Sequence, residues 1–187
     1  MTRDQEHALI KEVLGNKYIY LSLKSYCASE SVDSGTTSVV LVISQCKKDT
    51  TISGKGDGIV DATFSALRKE LIPNCKSLAD VKISSFKVKA LTGTKKGISG
   101  TDSKVSIDLS VVNGYGKQVF FKEEGRSLIG VSIAVVVSCV EKFLNAELAF
   151  FVMKKALEDA YKRNRQDLIE RYKIILSSVV KYTPYSI

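Results

Sequence analysis

The sequence predicts an α+β fold in which two βββα repeats share a core and a helical extension follows. Three observations carry this. Two groups of three short strand-like runs each close on a stretch with helical periodicity. Matched segments in the two groups lie about 64 to 71 residues apart, the spacing of an internal duplication. Beyond residue 145 apolar residues recur at helical spacing with no third strand set. Neither repeat alone can bury both a sheet face and a helix, so the copies are expected to share a layer.

Residues 4–14 read as a short leader helix. Residues 18–26 alternate, with Ile19, Leu21 and Leu23 on an apolar face and Tyr18, Tyr20, Ser22 and Lys24 on a more polar one. A polar loop at Asp33, Ser34 and Gly35 leads to residues 37–46, where SVVLVIS is mostly β-branched. Lys47, Lys48 and Asp49 are expected to form a hairpin turn and residues 50–53 the returning strand. Gly54, Gly56 and Gly58 then break that strand. Val60, Phe64, Leu67 and Leu71 follow at i, i+4, i+7 and i+11, one apolar helical stripe that Pro73 and Asn74 end.

The order then returns. Residues 81–91 and 105–112 read as strands, with a glycine-rich loop before the second. Residues 113–116 form a turn, 118–121 the return strand, 123–127 the counterpart of the glycine break, and 129–144 the helix. Within that helix VSIAVVVSCV favours a strand by propensity. Its place in the repeat and the helical continuation EKFLNAEL predict helix, since burial overrides propensity. Further on, Leu148, Phe151, Val152, Leu157 and Tyr161, then Leu168, Tyr172, Ile175 and Val179, predict a covering helical pair bent at Arg163, Asn164 and Arg165. A partner-binding coiled coil is the alternative. The expected division is a leader at 1–17, a duplicated body at 18–145 (units 18–72 and 79–145), and a helical extension at 146–187.

Composition narrows the function. The chain has 187 residues, 44% apolar and 26% charged, which excludes disordered, collagen-like and disulfide-scaffold classes. A net charge of +8 raises the question of nucleic acid or an anionic membrane. The basic residues are dispersed, however, and the densest stretch, 154–173, interleaves them with Glu158, Asp159, Asp167 and Glu170, as on a solvated mixed-charge face. The longest uncharged run, 127–140, falls short of the ~20 apolar residues of a membrane span. Cys27, Cys46, Cys75 and Cys139 lie 19, 29 and 64 residues apart, with no zinc spacing. They read as reduced, mostly buried thiols of a cytoplasmic protein, and MTRDQEH is not a signal peptide. The single histidine, His7, excludes Ser-His-Asp, Cys-His and multi-histidine metal chemistry within one chain and is expected to be exposed. No catalytic residue, metal or cofactor is expected.

One motif carries chemistry. ISGKGDGIVDATFSA at 52–66 places strand, glycines and a helix start in succession, the arrangement that presents free backbone N–H groups to an anion. It is not a dinucleotide fingerprint, because Ile59 stands at the third glycine position, and it is not a Walker loop. Asp57 and Asp61 would repel a phosphate. They suit a zwitterionic amino acid, its carboxylate at the helix start, its ammonium at an aspartate, with Ile59, Val60 or Phe64 as walls. The alternative is that the aspartates complement the helix dipole while the glycines permit close packing.

GDGIVDATFSAL resembles the G-[DN]-G-P-V-D-A-x-[FY]-x-A-[IL] signature of the carboxy-terminal regulatory domain of 2-isopropylmalate and citramalate synthases, with Ile59 where proline is usual. LTGTKKGISGTDSKVSIDLSV resembles that family's strand-loop pattern through Gly100, Thr101, Asp102 and Ser103. FFKEEGRSLIGVSIAVVVSCVEKFLN resembles its last helix, ending in Leu144 and Asn145, with Val131 where an acid is usual. The resemblance covers about 18–145. It implies a homodimer of paired βββα units that binds leucine or isoleucine as feedback effector for a catalytic synthase barrel absent from this chain. The ligand residues it implies are Asp57, Gly58, Ile59, Asp61 and Phe64, with Gly100, Thr101 and Asp102 in the second unit. Two other readings stand beside it: a basic nucleic-acid-binding module, and a domain that only dimerises, its ligand site lost.

Overall fold

A computed structural model describes residues 3–45, 48–71, 73, 75–91 and 104–185. Helix α1 (Arg3–Leu14) leads into strands β1 (Leu21–Ser31), β2 (Thr36–Gln45) and β3 (Lys48–Gly56), then helix α2 (Ile59–Leu71). After a 3-10 turn at Lys76–Leu78 come β4 (Lys82–Leu91), β5 (Lys104–Val112), β6 (Gln118–Gly125), α3 (Leu128–Lys162) and α4 (Gln166–Val179). The strands form two separate antiparallel sheets, ordered β1-β2-β3 and β4-β5-β6. The fold is the α+β class expected, with two βββα units.

The duplication extends to defects. The β1–β2 register shifts between Leu23 and Ser25, and the β4–β5 register shifts between Ile83 and Ser85, 60 residues later. Val39, Leu41 and Ile43 recur as Ile107, Leu109 and Val111 at an offset of 68, and all six are buried. Gly56 recurs as Gly125 at 69, each closing the last strand of its unit. The offsets run from 60 to 69 rather than 64 to 71, stepping from 60 to 68 between the first and second strands because twelve residues separate β4 from β5 where four separate β1 from β2. Residues 92–103 lie outside the described residues.

Alternation places Val39, Leu41 and Ile43 with Ile52 on one face of the first sheet, and α2 covers them with Phe64, Ala66 and Leu67. α3 covers β5 and β6, packs against α2 and reaches β1 of the first unit, so the helices form the shared layer. α1 and α4 lie against α3.

α3 is helical through its β-branched run and continues without a break past Asn145 to Lys162, 35 residues in all. By length and composition it could cross a membrane, but 67% of its most apolar stretch is buried inside the fold. Its hydrophobicity therefore serves the protein's own core, which is also why burial overrides strand propensity there. The bend expected at 163–165 is present: Arg163 caps α3 and Asn164 takes a positive φ of 52°. The basic residues of 154–173 are exposed and interleaved with acids, as in the pairs Arg163–Asp159 at 3.0 Å and Arg165–Asp167 at 2.7 Å.

Several local expectations are corrected. Residues 18–20 belong to no sheet, with Tyr18 in an extended conformation. Asn145 of α3 binds both polar groups of Ile19, accepting from its N–H at 2.8 Å and donating to its carbonyl at 2.7 Å. Glu141 accepts from the Leu21 N–H at 2.7 Å. Helix side chains thus take the place of a strand partner. Lys48 and Asp49 belong to β3, where Lys48 pairs with Gln45. Cys46 and Lys47 lie outside the described residues. Gly54 and Gly56 do not break β3 but pair with Val39 and Thr37. β6 likewise runs on to Gly125, through residues expected to interrupt it. Cys75 and Cys139 are buried and Cys27 is exposed, none of the three in a disulfide. His7 is half-buried, its ring edge-on to Tyr18 at 5.8 Å, because α1 folds back onto the body.

Candidate functional site

Two residues, Asp57 and Gly58, link the end of β3 to the start of α2. The corner is tight because of Gly56: a Cβ there would lie 2.6 Å from the Ala62 backbone nitrogen. A Cβ on Gly58 would meet nothing within 4 Å, and the Gly58 carbonyl accepts the first helical bond from the Ala62 N–H at 2.9 Å. Asp61 turns back over the corner, where its Oδ2 accepts from the Asp57 N–H at 3.3 Å. The amides of a first helical turn point out of the helix end, and here two exposed aspartates flank them.

Asp57, Gly58, Ile59 and Asp61 therefore share one corner. Ile59 and Val60 are half-buried and form its apolar side. Phe64 is only 4% exposed, packed one turn deeper with the Arg68 guanidinium 5.5 Å from its ring centroid. Gly100, Thr101 and Asp102 lie outside the described residues. Among the described residues, no group of three His, Cys, Asp or Glu side chains could hold a metal ion.

The matching corner of the second unit is built from different residues. Ser127 stands at the Gly58 position and caps α3, its Oγ accepting from the Gly130 N–H at 3.0 Å. Arg126 and Gly130 replace Asp57 and Asp61, so the two helix starts differ in charge. Val131 is buried, and a Cβ on Gly125 would lie 2.7 Å from its Cγ2. Tyr26 of β1 reaches this corner, its hydroxyl 3.2 Å from Ser127 Oγ. Tyr26 and Ser127 were not singled out from the sequence. Ser127 had a cap signal, a serine just before an apolar helical run, whereas Tyr26 had none.

Apolar side chains remain open on the core-side face of both first strands. Phe86 pairs with buried Leu109 and Val88 with buried Ile107, yet they are 37% and 47% exposed. Tyr26, opposite buried Leu41, is also exposed. Leu128 and Ile129 at the start of α3 are exposed as well. These are residues a sheet interior would ordinarily cover.

The duplicated βββα body thus leaves apolar side chains uncovered on its sheets, the kind of surface that marks an interaction site. The sequence profile of the LeuA allosteric (dimerisation) domain matches residues 1–143, and the chain belongs to that family. A search of curated protein sequences returned no match.

Proposed function

We infer that the domain, as a homodimer, binds a branched-chain amino acid at the β3–α2 corner and so controls a synthase barrel that is not part of this chain. The observation that carries this is the corner itself: a helix start and two exposed aspartates held together by Gly56, with Ile59 and Val60 beside them. The helix start suits the ligand carboxylate, Asp57 its ammonium, and the half-buried aliphatic residues its side chain. Gly100, Thr101 and Asp102 belong to the same proposal from the second unit. The family match supports the regulatory and dimeric parts of the reading, and the free thiols suit a cytoplasmic setting.

Control would follow from differential affinity. An amino acid that binds one arrangement of the dimer better shifts the population of the attached or partner barrel towards it. Isothermal titration with L-leucine, L-isoleucine and L-valine, with a D-amino acid as control, tests the site. Saturable binding of one L-form that is lost in Asp57→Ala is expected. Absence of binding at millimolar ligand overturns the sensing role and leaves a domain that only dimerises.

A further inference from the structure

The inner faces of the two sheets repeat, but their outer faces differ in charge. In β4-β5-β6 the positions that alternate with buried Ile107, Leu109 and Val111 point away from the core, and α3 packs on the other side. Strand register sets Lys82, Lys87 and Lys89 of β4 on that outer face, with Lys104 of β5 and Lys122 of β6. All five are exposed, and the acids among them are Asp108 and Glu124, which leaves the face at +3. The paired outer positions of β1-β2-β3 carry Lys55 and Asp49 and are otherwise uncharged, a net of zero. Lysines spread along the chain from 82 to 122 are thus gathered on one of the two sheets.

Two of the lysines are engaged. Lys89 pairs with Asp108 at 2.9 Å and Lys122 with Glu124 at 2.7 Å. Those contacts hold both carboxyls below their ordinary pKa, and Lys87 and Lys104 add to the pull on them. Lys82, Lys87 and Lys104 are therefore the surplus, set along a strand pair about 30 Å long. Phe120 stands on the same face, two residues from Lys122, with its ring 58% exposed. A single strand of nucleic acid matches both features, bringing phosphates to the lysines and a base whose π-face stacks on a phenyl ring. An acidic peptide would match the charge and leave the ring uncovered. We propose that the outer face of β4-β5-β6 binds single-stranded nucleic acid without sequence preference, at a surface separate from the β3–α2 corner.

Fluorescence anisotropy of a labelled oligo-deoxythymidine strand of about 12 nucleotides, titrated with the full chain, reads binding directly. The expected result is saturable binding at about 50 mM salt. Its log–log salt slope is near −2, from ~0.7 counterions per phosphate and three surplus lysines. Neutralising Lys82→Gln, Lys87→Gln and Lys104→Gln together weakens binding about tenfold or more and flattens the slope. Lys155→Gln, Lys162→Gln and Lys173→Gln remove the same charge from α3 and α4 and leave affinity within about twofold. Phe120→Ala weakens binding about tenfold at unchanged slope, the loss of one stacked base. Asp57→Ala leaves it unchanged. Every substituted residue is exposed, and unchanged thermal midpoints separate loss of binding from loss of folding. No saturable binding at about 50 mM salt overturns the proposal, as does an equal loss in the α3–α4 variant. Wild-type affinity in Phe120→Ala overturns it too, and displacement by poly-glutamate then points to an acidic protein partner.

Discussion

Ser77 donates its backbone N–H to Glu147 Oε2 at 2.6 Å, joining residues 70 positions apart. The same carboxylate accepts from the Lys76 N–H at 3.2 Å, the Cys75 thiol at 3.2 Å and the Tyr185 hydroxyl at 3.1 Å. One buried acid on α3 thus fastens the linker between the two units and the segment after α4. Burial and then the Glu147 charge push the Cys75 thiol pKa up, so it stays protonated and donates.

Burial alone would raise the Glu147 pKa, but the hydrogen bonds from Ser77, Cys75 and Tyr185 outweigh it and hold the group below its ordinary 4.5. A folded-state pKa below the unfolded one adds stability at neutral pH that is lost as pH falls through the folded value. Stability is expected to decline below about pH 4.5. Glu147→Gln is expected to cost about 1–3 kcal/mol at neutral pH and to flatten that acid limb. Urea unfolding from about pH 7 to pH 3 checks both, and an equally steep acid limb in the variant contradicts the assignment.

Gly56 and Gly58 are two residues apart and are expected to respond in opposite directions. Gly56→Ala forces a Cβ to within 2.6 Å of the Ala62 nitrogen, and overpacking of this kind costs about 1–3 kcal/mol. Gly58→Ser meets open space and supplies the cap that Ser127 gives α3, for a gain of a few tenths of a kcal/mol, about 0.5. Thermal midpoints of the two variants measure the contrast.

Asn145→Leu removes both hydrogen bonds to Ile19 at a fully buried position. Leaving those backbone groups unpaired is expected to cost about 1–3 kcal/mol each, less whatever water recovers. Amide exchange should speed up at Ile19 and Leu21 while the centre of β5 stays protected. Unchanged protection at Ile19 would contradict the role given to Asn145.

Phe86→Ala is expected to weaken the dimer and leave the protomer folded, since the ring is part-exposed within one chain. Losing ~2 kcal/mol of apolar burial corresponds to about thirtyfold in the dissociation constant. Sedimentation across a concentration series measures it, and an unchanged constant places the interface elsewhere.

The elements were legible because each repeats the same short-range pattern. Val39, Leu41 and Ile43 alternate, as do Ile107, Leu109 and Val111, while Phe64, Leu67 and Leu71 keep helical spacing. The errors lie where a distant side chain decides. Nothing near Ile19 announces that Asn145 occupies its hydrogen bonds from 126 residues away. Gly54 and Gly56 read as a break because a sequence shows their lack of side chains but not the helix resting on them. At the corner, Asp57, Gly58 and Ile59 were adjacent in sequence and remained so in space. Tyr26 joined the other corner through a crossing of units that only the tertiary structure supplies.

α3 is a single rod of 35 residues, about 52 Å at 1.5 Å per residue. Its first turn is gripped by Ser127 beside Tyr26, its middle by Glu141, Asn145 and Glu147, and its far end projects to the turn that starts α4. A tilt of about 5° about those clamps would move each end by roughly 2 Å, since each lies about 25 Å from the pivot. The geometry is that of a balance beam with its fulcrum in the glutamate and asparagine clamps. A displacement received at one end is delivered at the other at about the same size and in the opposite sense.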